Sequence, residues 1–576
     1  MLDLVIRNAM LVDGTGAARR SADLGVRDGR IAEIGRIGAA ARRTIDAGGQ
    51  AVAPGFIDVH THYDAQAFWD PSLSPSCYHG VTTALGGNCG FSIAPLSGRG
   101  DDAEYLLNML ARVEGMPVAA LRQGVPWDWT SFGDYLAKLD GTLAINAGFL
   151  VGHSALRRAV MGSRAVGHRA SASELAAMVA LLRRSLQEGG MGLSTTVSPT
   201  HNDANGDPVP SRHAGDEEFL ALARAVRDFP GTTLEFLPGV GPFTEAEMDR
   251  MADMSLAANR PLNWNLLSPT SARPEFTRQQ LAASDHAAAK GARVVGLCIA
   301  QPMVFHVNYA SLFGLDSLPG WDALSRLSLA ERRRAMQDPA MRARLKQGAT
   351  GHGGLFSILA DWPGYRVIDV FAPENAPFRG KTLEEIAGMT GKEPLDAMFD
   401  IAVADDLKTT FKARAIGGDE ASWPLRAQTW LDERTLIGGS DAGAHLDGLD
   451  TFAFSTQVLG EGVRKRGLLT LEQAVQQLTS KPAELIGLTD RGVLREGAIA
   501  DIVVFDPDRV ATGPVHTRFD LPSGAPRLYA DAEGIAHVLV AGTEIVRGAE
   551  LTGERPGTVL RSGRDTHTVT VPGGTA

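Results

Sequence analysis

Two histidines spaced two residues apart, His60 and His62, close the run Ala53-Pro54-Gly55-Phe56-Ile57-Asp58-Val59-His60-Thr61-His62. The apolar, β-branched stretch after Pro54-Gly55 predicts a short buried strand. Side chains on a strand repeat with a period of 2, so both imidazoles leave the same face. Two neutral ring nitrogens there can reach one divalent cation. His-X-His is a weak signal alone, and its place at the end of a buried strand strengthens it. Other predicted strand ends carry Cys89, His153, Ser194, Glu235, Asn263, Asn265, Gln301 and Asp441. A His pair, a thiol and an acid converging on one mouth make a divalent metal site. Such an ion brings the pKa of bound water to about 7 and polarises a carbonyl. An Asp beside it can take the water's proton and hand it to a leaving group. That chemistry is metal-assisted hydrolysis of an amide-like bond.

The elements that must position these residues are legible as alternating strands and helices. Strand-like segments fall at 56–59, 81–85, 145–151, 190–197, 232–237, 261–267, 294–300 and 435–440. Helical patterns intervene at 171–187, 216–227 and 282–290, and Ser171 with Glu174 predicts a capping box on the first. This alternation predicts an α/β fold, a (β/α)8 TIM-type barrel with its working residues at the C-terminal strand ends. The span 303–433 between the last two strands is too long for one crossover, so a helical insertion over the mouth is expected there, with helices at 339–346 and 382–399. Residues 2–50 read as a small β unit, with a hairpin turn at Asp28-Gly29. Further strands at 500–505 and 537–540 lie near the far end, the second leading into a turn at 541–544. Neither end holds enough apolar residues for a core of its own, so the two join as one discontinuous domain. The expected layout is therefore 1–53 with 485–560 as the β domain, 54–484 as the barrel, and 561–576 as a polar tail.

With 576 residues, 44% hydrophobic and 21% charged, the chain has the composition of a multidomain globular protein. A net charge of −11 argues against nucleic acid or an anionic membrane as the main partner. Three cysteines (Cys77, Cys89, Cys298) make no disulfide framework. No signal peptide or spanning segment is evident, so a soluble cytoplasmic protein with a small-molecule substrate is expected. Oligomeric state is not encoded legibly.

The stretch 54–62 resembles the opening strand of the amidohydrolase superfamily. Gly80-Val81-Thr82-Thr83, Gly87-Asn88-Cys89-Gly90, Gly152-His153 with Leu156-Arg157, Gly192-Leu193-Ser194-Thr195, Gly439-Ser440-Asp441 and Arg491-Gly492 with Gly497 and Ala500-Asp501 narrow the likeness to the D-aminoacylase (N-acyl-D-amino-acid deacylase) branch. The resemblance implies a zinc enzyme with a β-sandwich-like small domain beside the barrel, cleaving an N-acyl-D-amino acid to carboxylate and amine. It implies His60 and His62 as first-strand ligands, Cys89 as the cysteine ligand, and Asp441 as the acid that activates water.

The chain departs from that family at two strands. The family carries metal-binding histidines at the ends of strands 5 and 6; here those strands read Thr232-Thr233-Leu234-Glu235-Phe236-Leu237 and Leu262-Asn263-Trp264-Asn265-Leu266. No lysine lies between Lys138 and Lys290, so a bridging carboxylated lysine on strands 4 to 6 is excluded. The expected centre is one zinc ion held by His60, His62 and Asp441 with Cys89 close by; Glu235 is the candidate carboxylate for a second. His153 with Arg157, His445, and His306 with Tyr309 are candidate substrate contacts. Each has a plainer reading: Cys89 as a small buried hydrophobe, Asp441 as a helix cap, the other histidines as packing residues. Two further functions stay open, a relative acting on a cyclic amide, carbamate or decorated natural product, and an inactive barrel serving as a binding subunit.

Overall fold

A computed structural model describes the whole chain except residues 240, 313, 316–317, 351–358 and 575–576. The fold is mixed α/β. Its central strands, labelled here in chain order, are β1 (Phe56–Asp58), β2 (Val81–Gly86), β3 (Asn146–Phe149, resuming as Val151–Gly152), β4 (Gly192–Thr196), β5 (Thr233–Leu237), β6 (Leu262–Leu267), β7 (Val294–Cys298) and β8 (Thr435–Ile437). All pair in parallel: β1 with β2 and β2 with β3, then the continuation of β3 with β4, and so on to β8. Beyond the two outer strands, Thr61 and Ala442 form a parallel bridge, so the end of β1 meets the segment after β8. Parallel strands buried on both faces read as continuous apolar runs, which is why their positions are readable from sequence.

Helices cover the strands. Ala172–Gln187 starts with the Ser171/Glu174 capping box, and Asp216–Arg227, Glu245–Ala258 and Pro274–Ala289 follow. Beneath them Trp264 on β6 is fully buried and meets Phe243 edge-on at 4.9 Å. Truncating it to Ala would cost about 3–5 kcal/mol.

The chain ends build a nine-stranded sheet. Ile502–Phe505 lies antiparallel to Ala51–Pro54, pairing Ile502 with Pro54 and Val504 with Val52. That contact joins the N-terminal strands to Ile535–Val540 and Thr543–Arg547 over a shared core of Leu4, Ile6, Leu24, Val52, Ile502 and Leu539. Asp28 and Gly29 both take positive φ, 50° and 72°, the type I′ geometry that matches strand twist. Leu2–Leu11 is one strand, not two; a register shift between Ile6 and Ala9, with Asn8 at φ 54°, absorbs the polar Arg7-Asn8 step.

Between β7 and β8 the chain builds its own apolar cluster, including Val307, Tyr309, Trp321, Leu383, Phe399 and Phe411. Helices Pro339–Gly348, Leu383–Thr390 and Pro394–Ala404 are present, but this segment is not purely helical. Strands His306–Val307, Arg366–Asp369 and Thr410–Lys412 form a three-stranded antiparallel sheet, too short to show a period in sequence. The polar C-terminal stretch is tied down: Val559 bridges to Ala147, Thr566 to Leu488, and Leu560 and Val571 are buried.

Candidate metal centre

The loop after β2 is shaped by its glycines. Gly87 takes φ 75°, and a Cβ there would overlap the Leu150 carbonyl. Ser194 on β4 clamps the loop, donating its hydroxyl to the Gly87 carbonyl and accepting the Gly90 amide. Between them Cys89 is forced to φ 55°, and Asp441 after β8 sits at φ 52°. Both are left-handed conformations costly for residues with a Cβ, and such strain concentrates at working sites.

These two backbones bring their side chains to His60. The Cys89 Sγ lies 3.6 Å from His60 Nε2, and Asp441 Oδ1 lies 3.1 Å from the same nitrogen. His62 Nε2 stands 3.6 Å from Asp441 Oδ1. One donor atom each from His60, His62 and Cys89 falls within 4.8 Å of the others. The Ser440 hydroxyl donates to Asp58 Oδ2 at 2.5 Å and to the His60 carbonyl at 3.2 Å, locking β1 to the segment after β8. Both histidines and Cys89 are buried, whereas Asp441 keeps 19% of its side chain exposed and can meet an incoming molecule.

Glu235 and Asn265 stand where histidines are absent. Glu235 Oε2 accepts the Cys89 amide at 2.8 Å and its Oε1 is 3.9 Å from the sulfur. Asn265 Nδ2 lies 3.2 Å from His60 Nε2 and 3.9 Å from the Cys89 sulfur.

The electrostatics follow from burying so many ionisable groups together. Burial pushes the Glu235 carboxyl up to about 8, against the pull of the Cys89 amide. Burial, above all, holds the Cys89 thiol well above its usual range. Burial alone would raise Asp441 too, but hydrogen bonds from His60 and His62 outweigh it and keep this carboxylate well below the usual range. Burial opposes charge on His62, yet Glu114 and Asp441 lift it to about 9.

The other predicted site residues are placed differently. His153 gives one ring nitrogen to Thr195 and the other to Glu218, each at 2.8 Å, and Arg157 forks onto both Glu218 oxygens at 2.6 and 2.7 Å. Their polar atoms serve a buried network linking the helices after β3 and β4. Tyr309 packs against Trp321, Phe399 and Phe411 inside the insertion's core, so the expected reach to an acyl or carboxylate group is not seen there. His306 starts the insertion's sheet, fully buried. His445, at φ 47°, lies 3.7 Å from Glu114 Oε2 at the edge of the centre. Glu114 is not legible in sequence as a site residue, because it follows a helix and ends no strand. His201, in the loop after β4, escapes sequence reasoning for the same reason; its ring packs on Phe91 at 5.0 Å.

Residues 43–546 match the Amidohydrolase family. The chain belongs to that family. As an amidohydrolase it falls in the D-aminoacylase branch. It is 30% identical to N-acyl-D-glutamate deacylase of Alcaligenes xylosoxydans xylosoxydans, over 97% of this chain and 96% of the relative. The crystal structure of N-acyl-D-glutamate deacylase from Bordetella bronchiseptica, complexed with zinc and a phosphonate inhibitor, superposes with a TM-score of 0.64, 29% identity and coverage of 97% of this chain and 100% of that one. A D-aminoacylase structure described by its binuclear metal centre gives a TM-score of 0.64 at 27% identity over 97% and 100% of the two chains. Residues 1–50 of this amidohydrolase also match the N-terminal domain of the urease alpha-subunit.

Proposed function

We propose that this amidohydrolase cleaves the amide bond of an N-acyl amino acid of D configuration, using one divalent ion, zinc by preference. The scaffold is read as a (β/α)8 barrel over residues 54–484, flanked by a discontinuous β domain from 1–53 and 485–560. The convergence of Cys89 Sγ and Asp441 Oδ1 on His60 Nε2 carries the reading. Ligand atoms around a tetrahedral zinc ion stand roughly 3.3–3.8 Å apart; the two separations of 3.6 Å fall in that range and the 3.1 Å between His60 and Asp441 lies just below it. Two imidazoles, a carboxylate and a thiol are also a zinc-like donor set.

His60, His62 and Asp441 would hold the ion, with Cys89 beside it. When bound, such an ion lowers the pKa of water and polarises an amide carbonyl. Asp441, ionised and partly exposed, takes the attacking water's proton at its free oxygen and returns it to the departing nitrogen. Glu235, protonated at neutral pH, adds no charge to the pocket and fixes the Cys89 backbone. The names of the relatives support the N-acyl-D-amino acid class.

The test is amine release from paired N-acetyl-D- and N-acetyl-L-amino acids with acidic and apolar side chains. Turnover confined to D substrates is expected. Silence across the panel would overturn the reading and favour a cyclic amide or carbamate.

A further inference from the structure

We infer that Glu114 is a positioning residue that sets the tautomer and ring orientation of His62 and couples it to the loop after β8. This rests on the metal-centre reading above. Glu114 follows the helix Gly100–Val113 and is 2% exposed. Its Oε1 lies 3.6 Å from His62 Nδ1 and its Oε2 lies 3.7 Å from His445 Nε2. Its main-chain carbonyl accepts the His445 amide at 2.5 Å. A buried carboxylate is costly unless paired, and here both partners are histidines of the candidate centre.

The direction of His62 makes this consequential. Its Nε2 faces Asp441, and its Nδ1 faces Glu114. Both ring nitrogens face a carboxylate; with Nε2 committed to an ion, Nδ1 would keep the ring's proton, and Glu114 is the carboxylate placed to face it. The same residue holds His445 in its left-handed conformation through the main-chain hydrogen bond. One residue from outside the strand ends therefore contacts both His62, just after β1, and the loop that carries Asp441.

The experiment is zinc affinity of the full-length protein, by competition with a chromophoric chelator, for wild type, Glu114→Ala, Glu114→Leu and Glu114→Gln. Leu conserves the volume and serves where Ala opens a cavity. Ala and Leu should weaken binding by about 10–100-fold, and Gln, which still accepts a hydrogen bond, should recover part of the loss. Nitrogen NMR of histidine-labelled, zinc-loaded protein should show His62 protonated at Nδ1 in wild type and altered in the Ala and Leu variants. Unchanged affinity with an unchanged His62 tautomer in folded Leu or Ala protein overturns the inference and leaves the metal centre standing. A wild type that binds no zinc, or a His60→Ala/His62→Ala protein that keeps it, overturns both.

Discussion

The Glu235 carboxylate accepts the Cys89 amide at 2.8 Å while standing 3.9 Å from that residue's sulfur, so the end of β5 and the loop after β2 share one buried acid. Burial raises Glu235 to about 8, against roughly 4.3 in an unfolded chain. A carboxyl raised on folding stabilises fully below its unfolded pKa, and that contribution is lost as pH climbs through the folded value. Metal-free protein should therefore lose stability between about pH 4.3 and 8. Glu235→Gln, which cannot ionise, should flatten that slope. Denaturant titrations across this window check it, and an identical slope in the variant contradicts it.

The opposite sign holds at Glu218. Burial works to raise this carboxyl, but His153 and Arg157 outweigh it and hold it down at about 2. Stability from this network is present above about pH 4.3 and drains away as pH falls toward 2. Replacing Glu218 by Gln would leave Arg157 buried without its counter-charge, at a cost of about 3–5 kcal/mol near neutrality. The difference from wild type should shrink in acid. Urea unfolding at neutral and at acid pH measures both.

Metal binding should release protons. His62 is held at about 9 by Glu114 and Asp441 against its burial, so it is protonated at neutral pH in the free protein. An ion must displace that proton, about one per ion bound, and apparent affinity should fall as pH falls. A pH-indicator titration in weak buffer counts the protons directly. No release at neutral pH would contradict the arrangement.

Asp441 separates ligand from acid–base work. Asp441→Asn should keep the fold, because the Ser440 hydroxyl and the Thr61–Ala442 bridge also tie β1 to the segment after β8. Turnover should fall by at least about 10²–10⁴ through loss of the proton carrier alone. Steady-state rates alongside a thermal melt check it; an active Asn variant would remove Asp441 from its role.

Much of the arrangement is legible in the sequence, for physical reasons. Strands β1 to β8 are buried and each lies near its predicted place, several of them as apolar runs, and period 2 puts His60 and His62 on one face. Glu235 and Asn265 are visible as strand ends, but their contacts with Cys89 and His60 depend on neighbours 146 and 205 residues away in sequence. Glu114 and His201 have no local pattern at all, since loops after a helix or beyond a strand end carry no period. The insertion's short strands show none either. His153 and Arg157 resemble substrate contacts because they follow β3, and their shared partner Glu218, from a later helix, is not visible locally.

The most direct test of the central claim is amine release from an N-acyl-D-amino acid by one preparation assayed as purified, after exhaustive chelation, and after zinc is returned, with metal per chain measured at each stage. The account predicts activity with about one ion per chain, loss with its removal, and recovery on its return. Undiminished turnover in protein that retains no stoichiometric metal would contradict it.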